Sequence, residues 1–292
     1  MQRPDVLVLG AGGTIGAAWI GGVLAGIAEQ TGIDFAACEH IVGTSAGSMV
    51  AADLLAGVEP RQPTSSDPAA TNGSIPLPAE DEAGSGRTAR LGARLAAAAG
   101  TSLAPIALSL GRTPGAFVRA AALARVDGAG RSLDDLGARI ARHRLDWDGR
   151  LRIACVDRRS GRRVVFGSPG APPATVAQAV QASCSIPGFY RPVRVGEDEY
   201  VDGAVWSPTN MDAAPAGRET HVLCLAPMGG PLGRRERHPA VRAATMAALR
   251  LETLALQRRG AHVTVVLPEP ADPAEHARLT GFRQGAALAR SG

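Results

Sequence analysis

The chain has 292 residues, 45% of them hydrophobic and 20% charged, a globular composition with ample material for a core. All 31 basic residues are arginine, the formal net charge is +4 and aromatics make up only 3%. So few aromatics cannot build the stacking platforms of a nucleic-acid binder, and no nucleic-acid partner is expected. The arginine pairs Arg158-Arg159, Arg162-Arg163, Arg234-Arg235 and Arg258-Arg259 are scattered. They read as a solvated surface, with mild attraction to anionic lipid headgroups as the functional alternative. Cys38, Cys155, Cys184 and Cys224 lie far apart with no C-x-x-C pair, which argues against a zinc site and a disulfide framework. Neither a metal nor a cofactor is expected.

The first residues, "MQRPDVLVLGAGG", enter a strand pattern almost at once, so no signal peptide is expected. No uncharged apolar run reaches the roughly 18 residues that span a bilayer. The expected location is cytoplasmic, with transient peripheral contact to a membrane surface. "DVLVLG" reads as a fully buried strand ended by glycine. A Gly-rich turn and a helix ending near Gly32 follow, then a second strand in "HIVGTSAG" and a helix closing at Gly57. Strand, helix, strand, helix predicts a parallel sheet with helices on its faces.

Glu59 to Thr88 is rich in Pro, Ser, Gly and acid without periodicity, and is expected to be a mobile loop. Residues 89–145 read as short helices that pack as a cap, the clearest being "RSLDDLGARIARHR" with Ser132 as N-cap. "LRIACVD" and "RRVVFG" predict one hairpin, and "YRPVRV" and "EYVDGAV" another around Gly196. Between them "TVAQAVQASCS" predicts a helix capped by Thr175. "HVLCLAPM" and "HVTVVLPE" are buried strands flanking a helix from about Pro239 to Arg259, and a last helix runs from about Pro273 to Arg290. The pattern is that of a single domain over 1–292.

Gly43-Thr44-Ser45-Ala46-Gly47 sits at a strand-to-helix turn and matches the G-x-S-x-G nucleophile elbow. Because glycine is 36 of 292 residues, a glycine-rich helix entry with a capping serine is the structural alternative. The preceding turn, "LGAGGTIGAAW", has two readings. Gly10-x-Gly12 followed by Gly16 is dinucleotide-like, with Glu29 or Asp34 as ribose acceptor, but G-x-G-x-x-G would need glycine where Ile15 stands. Alternatively, the N–H groups of Gly12 and Gly13 at a helix N-terminus form an oxyanion loop. A serine nucleophile also needs a base. The six histidines, His40, His143, His221, His238, His262 and His276, read individually as surface or strand-end residues. Asp202, ending a β run in "EYVDGAV", is the other candidate, although Asp-Gly alone is a common turn pair.

Four stretches in order, "GAGGTIG", "GTSAG", "ASCSIPGFYRPV" and "VDGA", together resemble the patatin-like phospholipases. The resemblance covers the first fifty or so residues and the region from about 150 to 210. It implies a three-layer α/β fold with a central, mostly parallel sheet. It implies lipid acyl hydrolysis through a Ser45–Asp202 dyad, with Gly12 and Gly13 in the oxyanion hole and lipid or acyl esters as substrate. An aspartate base predicts activity below pH 6 unless Asp202 is strongly desolvated. The departures are Ala11 at the family's first loop glycine and Ile15 at its usual cation. Rival readings are an α/β-hydrolase triad using His262 or His276, a nucleotide-binding Rossmann protein, and a catalytically weak patatin-like binding protein.

Overall fold

The computed structural model describes residues 1–60, 112–126, 128, 130–230, 239–269 and 277–291. Residues 61–88 of the expected mobile loop, the short helices expected before residue 111 and residues 273–276 lie outside the described residues, as do His238 and His276. Eight strands form one mixed, mostly parallel sheet: β1 (Val6–Leu9), β2 (His40–Gly43), β3 (Leu151–Asp157), β4 (Arg163–Phe166), β5 (Val193–Val195), β6 (Asp198–Asp202), β7 (His221–Leu225) and β8 (His262–Val266). Hydrogen-bonded neighbours run β5-β6-β3-β2-β1-β7-β8, with β4 also on β3. The pairs β1–β2, β1–β7, β2–β3 and β7–β8 are parallel. The two hairpins expected from sequence, β3–β4 and β5–β6, are both present.

Helices flank both faces of this sheet. They are α1 (Gly13–Thr31), α2 (Ala46–Leu55), α3 (Arg112–Ala124), α4 (Asp134–Ala141), α5 (Val176–Ser183), α6 (Pro239–Gln257) and α7 (Ala277–Ser291). In β1 all four side chains are buried because both faces are covered: Leu7 and Leu9 pack against α1, Val6 and Val8 against the layer holding Met211, Leu249 and Leu256. Helix α1 is apolar nearly all round, with Trp19, Ile20, Val23, Leu24 and Ile27 buried. It is a middle layer, held between the sheet and α7, which lies along its outer side. Thr175 caps α5 as expected, in a capping box with Gln178. Ser132 accepts the N–H of Asp134 at 3.1 Å, but the N-cap of α4 is Leu133, one residue later than the sequence reading.

The described helices of the 89–145 stretch do not form one cap. Leu136 and Ile140 of α4 join the core on the Cys155 face of the sheet, whereas Leu123 of α3 packs with Val156, Val201 and Trp206 on the other. Alternate residues of β3 point to opposite faces, so the two helices separate. No helix among the described residues is long and apolar enough to cross a membrane.

The start of α2 leans directly on β1. The N–H of Thr44 donates to the Leu9 carbonyl at 3.0 Å, and a Cβ at Gly47 would run into that same carbonyl. Gly47→Ala is therefore expected to lower the unfolding free energy by about 1–3 kcal/mol through overpacking. The measurement is urea unfolding: a lower midpoint at unchanged slope supports this, and a wild-type midpoint shows that the turn has room.

Candidate active site

Residue pairing on β3 decides which groups meet. Ile153 pairs with both Gly43 of β2 and Phe166 of β4, and Cys155 with both Val164 of β4 and Asp202 of β6. A strand has only two edges, so β2 and β6 share one edge of β3 and β4 takes the other. Along that shared edge β2 runs parallel to β3 and stops at Gly43, while β6 runs antiparallel and stops at Asp202. The two chains approach head-on, and the residues just past one end and at the other are Ser45 and Asp202.

At the end of β2 the backbone turns sharply. Ser45 has φ 51° and ψ −118°, a conformation rare for a residue with a side chain. Several contacts hold it there. Its N–H donates to Ser183 Oγ at 2.9 Å, and Ser183 Oγ donates in turn to the Ala154 carbonyl at 2.8 Å. Its carbonyl accepts the N–H of Ser48 at 2.8 Å, starting α2. Strain of roughly 1–3 kcal/mol persists only where surroundings over-determine it.

Asp202 is 3% exposed and Ser45 5%. The Asp202 carboxylate accepts the Ala204 N–H at 2.8 Å, and the nearby Ser45 side chain also favours its charged form. Burial outweighs both influences and pushes its pKa up from 3.8 to about 7. The next residue, Gly203, lets the chain pass β3, because a Cβ there would meet the Ala154 carbonyl. Asp202-Gly203 is thus a strand end pressed against its neighbour, not a free turn. Cys184 completes the surroundings, its Sγ 3.9 Å from Ser48 Oγ. Burial, then the nearby Asp202, pushes the thiol far up, so it stays protonated.

Gly12 and Gly13 lie where β1 gives way to α1, beside the elbow, since Leu9 pairs with Gly43. Gly13 has φ 59°, in the left-handed region that favours glycine. The Gly12 carbonyl opens α1 by accepting the Gly16 N–H at 2.9 Å. The N–H groups of Gly12 and Gly13 have no protein acceptor among the described residues. Two helix N-termini, α1 and α2, therefore point at one point of the sheet edge. Ile15, in the first turn of α1, is 50% exposed at this rim.

The described histidines lie elsewhere. His262 opens β8 opposite His221 at the start of β7, stacked on it with ring centroids 5.1 Å apart. That is the sheet edge away from Ser45. His143 bonds Asp53 at 2.9 Å, and His40 begins β2. The acceptors of the dinucleotide reading are also distant: Asp34 caps the short helix Phe35–Ala37, and Glu29 sits near the far end of α1. The tip of β2, where a ribose acceptor would stand, carries the elbow. Sequence reasoning named Ser45, Asp202, Gly12 and Gly13, but gave no role to Ser183, Cys184 or Asn210. Asn210 Nδ2 lies 3.2 Å from both Thr44 Oγ1 and the Gly203 carbonyl. The first two sit in the "ASCSIPG" block, which carried only a family signal; Asn210 had no local signal at all.

A family model described as patatin-like phospholipase matches residues 7–215, which include the elbow, the Asp-Gly-Ala stretch and all strands but the last two. The chain belongs to the patatin-like phospholipase family. Membership implies a hydrolase acting on lipids. Among solved structures, VipD from Legionella pneumophila is similar at 15% identity over 99% of this chain and 67% of its own, with a TM-score of 0.43. The type III effector protein ExoU is similar at 15% identity over 99% of this chain and 53% of its own, with a TM-score of 0.38. This patatin-like chain thus spans only about half of ExoU. No curated protein matches it.

Two outcomes follow from this geometry. Ser183→Ala removes the acceptor for a buried N–H in a strained turn, and is expected to cost about 1–3 kcal/mol in urea unfolding; an unchanged midpoint would show that another group replaces it. Asp202 is protonated more readily when folded, so the stability linked to it is complete below its ordinary 3.8 and is lost as pH rises towards about 7. Asp202→Asn should therefore unfold at higher urea than wild type at pH 8, by on the order of 1–3 kcal/mol, with the difference vanishing near pH 4. A variant less stable than wild type at pH 8 contradicts this.

Proposed function

We propose that the protein hydrolyses carboxylic esters of lipids with Ser45 as nucleophile and Asp202 as base. The observation that carries this reading is the head-on meeting of β2 and β6 on one edge of β3, which sets the Ser45 side chain beside a carboxylate that burial makes basic near neutral pH. An ordinary carboxylate is a poor base at pH 7, but one with a pKa of about 7 is matched to the task. Ser45 Oγ attacks the acyl carbonyl as its proton passes to Asp202. The negative charge on the carbonyl oxygen is met by the N–H groups of Gly12 and Gly13. When the intermediate collapses, the ester C–O bond breaks, and Asp202 gives its proton to the departing alcohol. Water then attacks the acyl-serine, again losing its proton to Asp202, and the fatty acid leaves as Ser45 recovers its hydroxyl.

Ile15 keeps the backbone donors but removes the cation common in the family's loop, so charge stabilisation rests on the two N–H groups and the α1 dipole. Its exposed side chain at the rim also suits transient contact with an acyl chain or a membrane surface.

Because Asp202 must be ionised to accept a proton, activity should rise through about pH 7. Activity below pH 6 is expected unless Asp202 is strongly desolvated, and that exception applies, since burial has moved the carboxylate into the histidine range. Mutation is therefore the sharper discriminator. A fluorophosphonate should label Ser45, and Ser45→Ala should abolish both labelling and hydrolysis of a p-nitrophenyl ester without loss of thermal stability. Asp202→Asn should lower kcat by roughly 10²–10⁴-fold, while His262→Ala stays within a few-fold. A lethal histidine change with a mild Asp202→Asn would replace the dyad with a triad.

A further inference from the structure

We propose that Asn210 is a positioning residue that sets the approach of Ser45 to Asp202. The inference rests on the dyad reading above. Ser45 and Asp202 close two chain ends that meet on one edge of β3 without pairing with each other. No ladder hydrogen bond fixes their separation. Asn210 bridges that junction. It is fully buried, and its Nδ2 lies 3.2 Å from Thr44 Oγ1, 3.2 Å from the Gly203 carbonyl and 2.6 Å from the Ser207 carbonyl. Thr44 immediately precedes the nucleophile, and Gly203 immediately follows the base. One amide with two hydrogens is thus shared among three acceptors spanning both arms of the site.

The amide is itself held. Asn210 adopts φ 48° and ψ 31°, a left-handed conformation that asparagine tolerates better than most residues. The residues on either side of it are tied to Glu252 of α6, which accepts the Met211 N–H at 3.0 Å and the Thr209 hydroxyl. Asp212 is gripped by Arg163 of β4 at 2.5 and 2.9 Å, and Arg163 Nη1 also reaches Asn210 Oδ1 at 3.4 Å. The clamp therefore refers the elbow and the base to two rigid elements, α6 and β4. Misplacing a reacting group by about 1 Å costs on the order of 10²-fold in rate.

The test separates this role from a backbone role. Asn210→Gly keeps the left-handed conformation and removes the amide. Thr44→Val keeps the shape of its side chain and removes the elbow-side partner. With a soluble p-nitrophenyl ester, Asn210→Gly should lower kcat by about 10–100-fold with KM nearly unchanged, and slow fluorophosphonate labelling of Ser45 in parallel. Thr44→Val should lower kcat less, and the double variant should be no worse than Asn210→Gly alone, because both cut one link. Rates are compared at a temperature where urea titration shows each variant folded. Wild-type kcat in Asn210→Gly, or effects that multiply in the double variant, would overturn the proposal. If Asn210→Gly does not fold, Thr44→Val decides: an unchanged kcat overturns it. Activity surviving in Ser45→Ala, or a mild Asp202→Asn, would instead sink the dyad reading and is measured in the same assay.

Discussion

The geometry of this molecule turns on β3 having two edges. One is taken by β4, its hairpin partner, along Ile153 to Val156. The other is divided, with β2 pairing along Leu151 to Ile153 and β6 along Cys155 to Asp157. The parallel strand lies at the start of β3 and the antiparallel strand at its end, so the two point at each other. The elbow turn and the terminal aspartate are brought together by that arrangement, and everything near them serves to hold two chain ends that have no ladder between them.

Holding them works against stability. Ser45 occupies a backbone conformation that a side chain disfavours, and Asp202 is a carboxylate removed from water with only the Ala204 N–H and the Ser45 hydroxyl to offset the loss. Both costs sit on adjacent groups, where function would place them. The surroundings compensate through ordinary means: the closely packed Leu9–Gly47 contact, the Ser183 hydroxyl bridging Ser45 to Ala154, and an apolar core in which β1 is sealed on both faces.

The same burial changes the chemistry expected of an aspartate. A solvent-exposed carboxylate would be ionised and weakly basic at neutral pH, whereas here desolvation brings the pKa to about 7. The site can therefore be read without a histidine between serine and acid. His262, the described candidate for a triad, stands at the strand starts and not at the ends where α1 and α2 begin. Glu252 behaves similarly beneath the Asn210 loop: burial raises its pKa, helped by neighbouring Asp212, while hydrogen bonds oppose the rise.

Much of the candidate site was legible in the sequence, because its parts are local. An apolar run ended by glycine reads as a buried strand wherever it folds, and Gly-x-Ser-x-Gly between such a run and a helix specifies its own turn; Ser45, Gly12 and Gly13 were visible for that reason. The two hairpins and the Thr175 cap were visible likewise, since their partners are a few residues away. Asp202 was nameable only through its company with three other stretches, because Asp-Gly by itself looks like any turn. What tertiary structure alone decided is everything involving partners far apart in the chain. These are the shared edge of β3, the desolvation that shifts Asp202, the separation of α3 and α4 to opposite faces, and the reach of Asn210 to Thr44 across 166 positions. Such contacts depend on which surfaces the folded sheet brings together, and no local pattern of residue types encodes that.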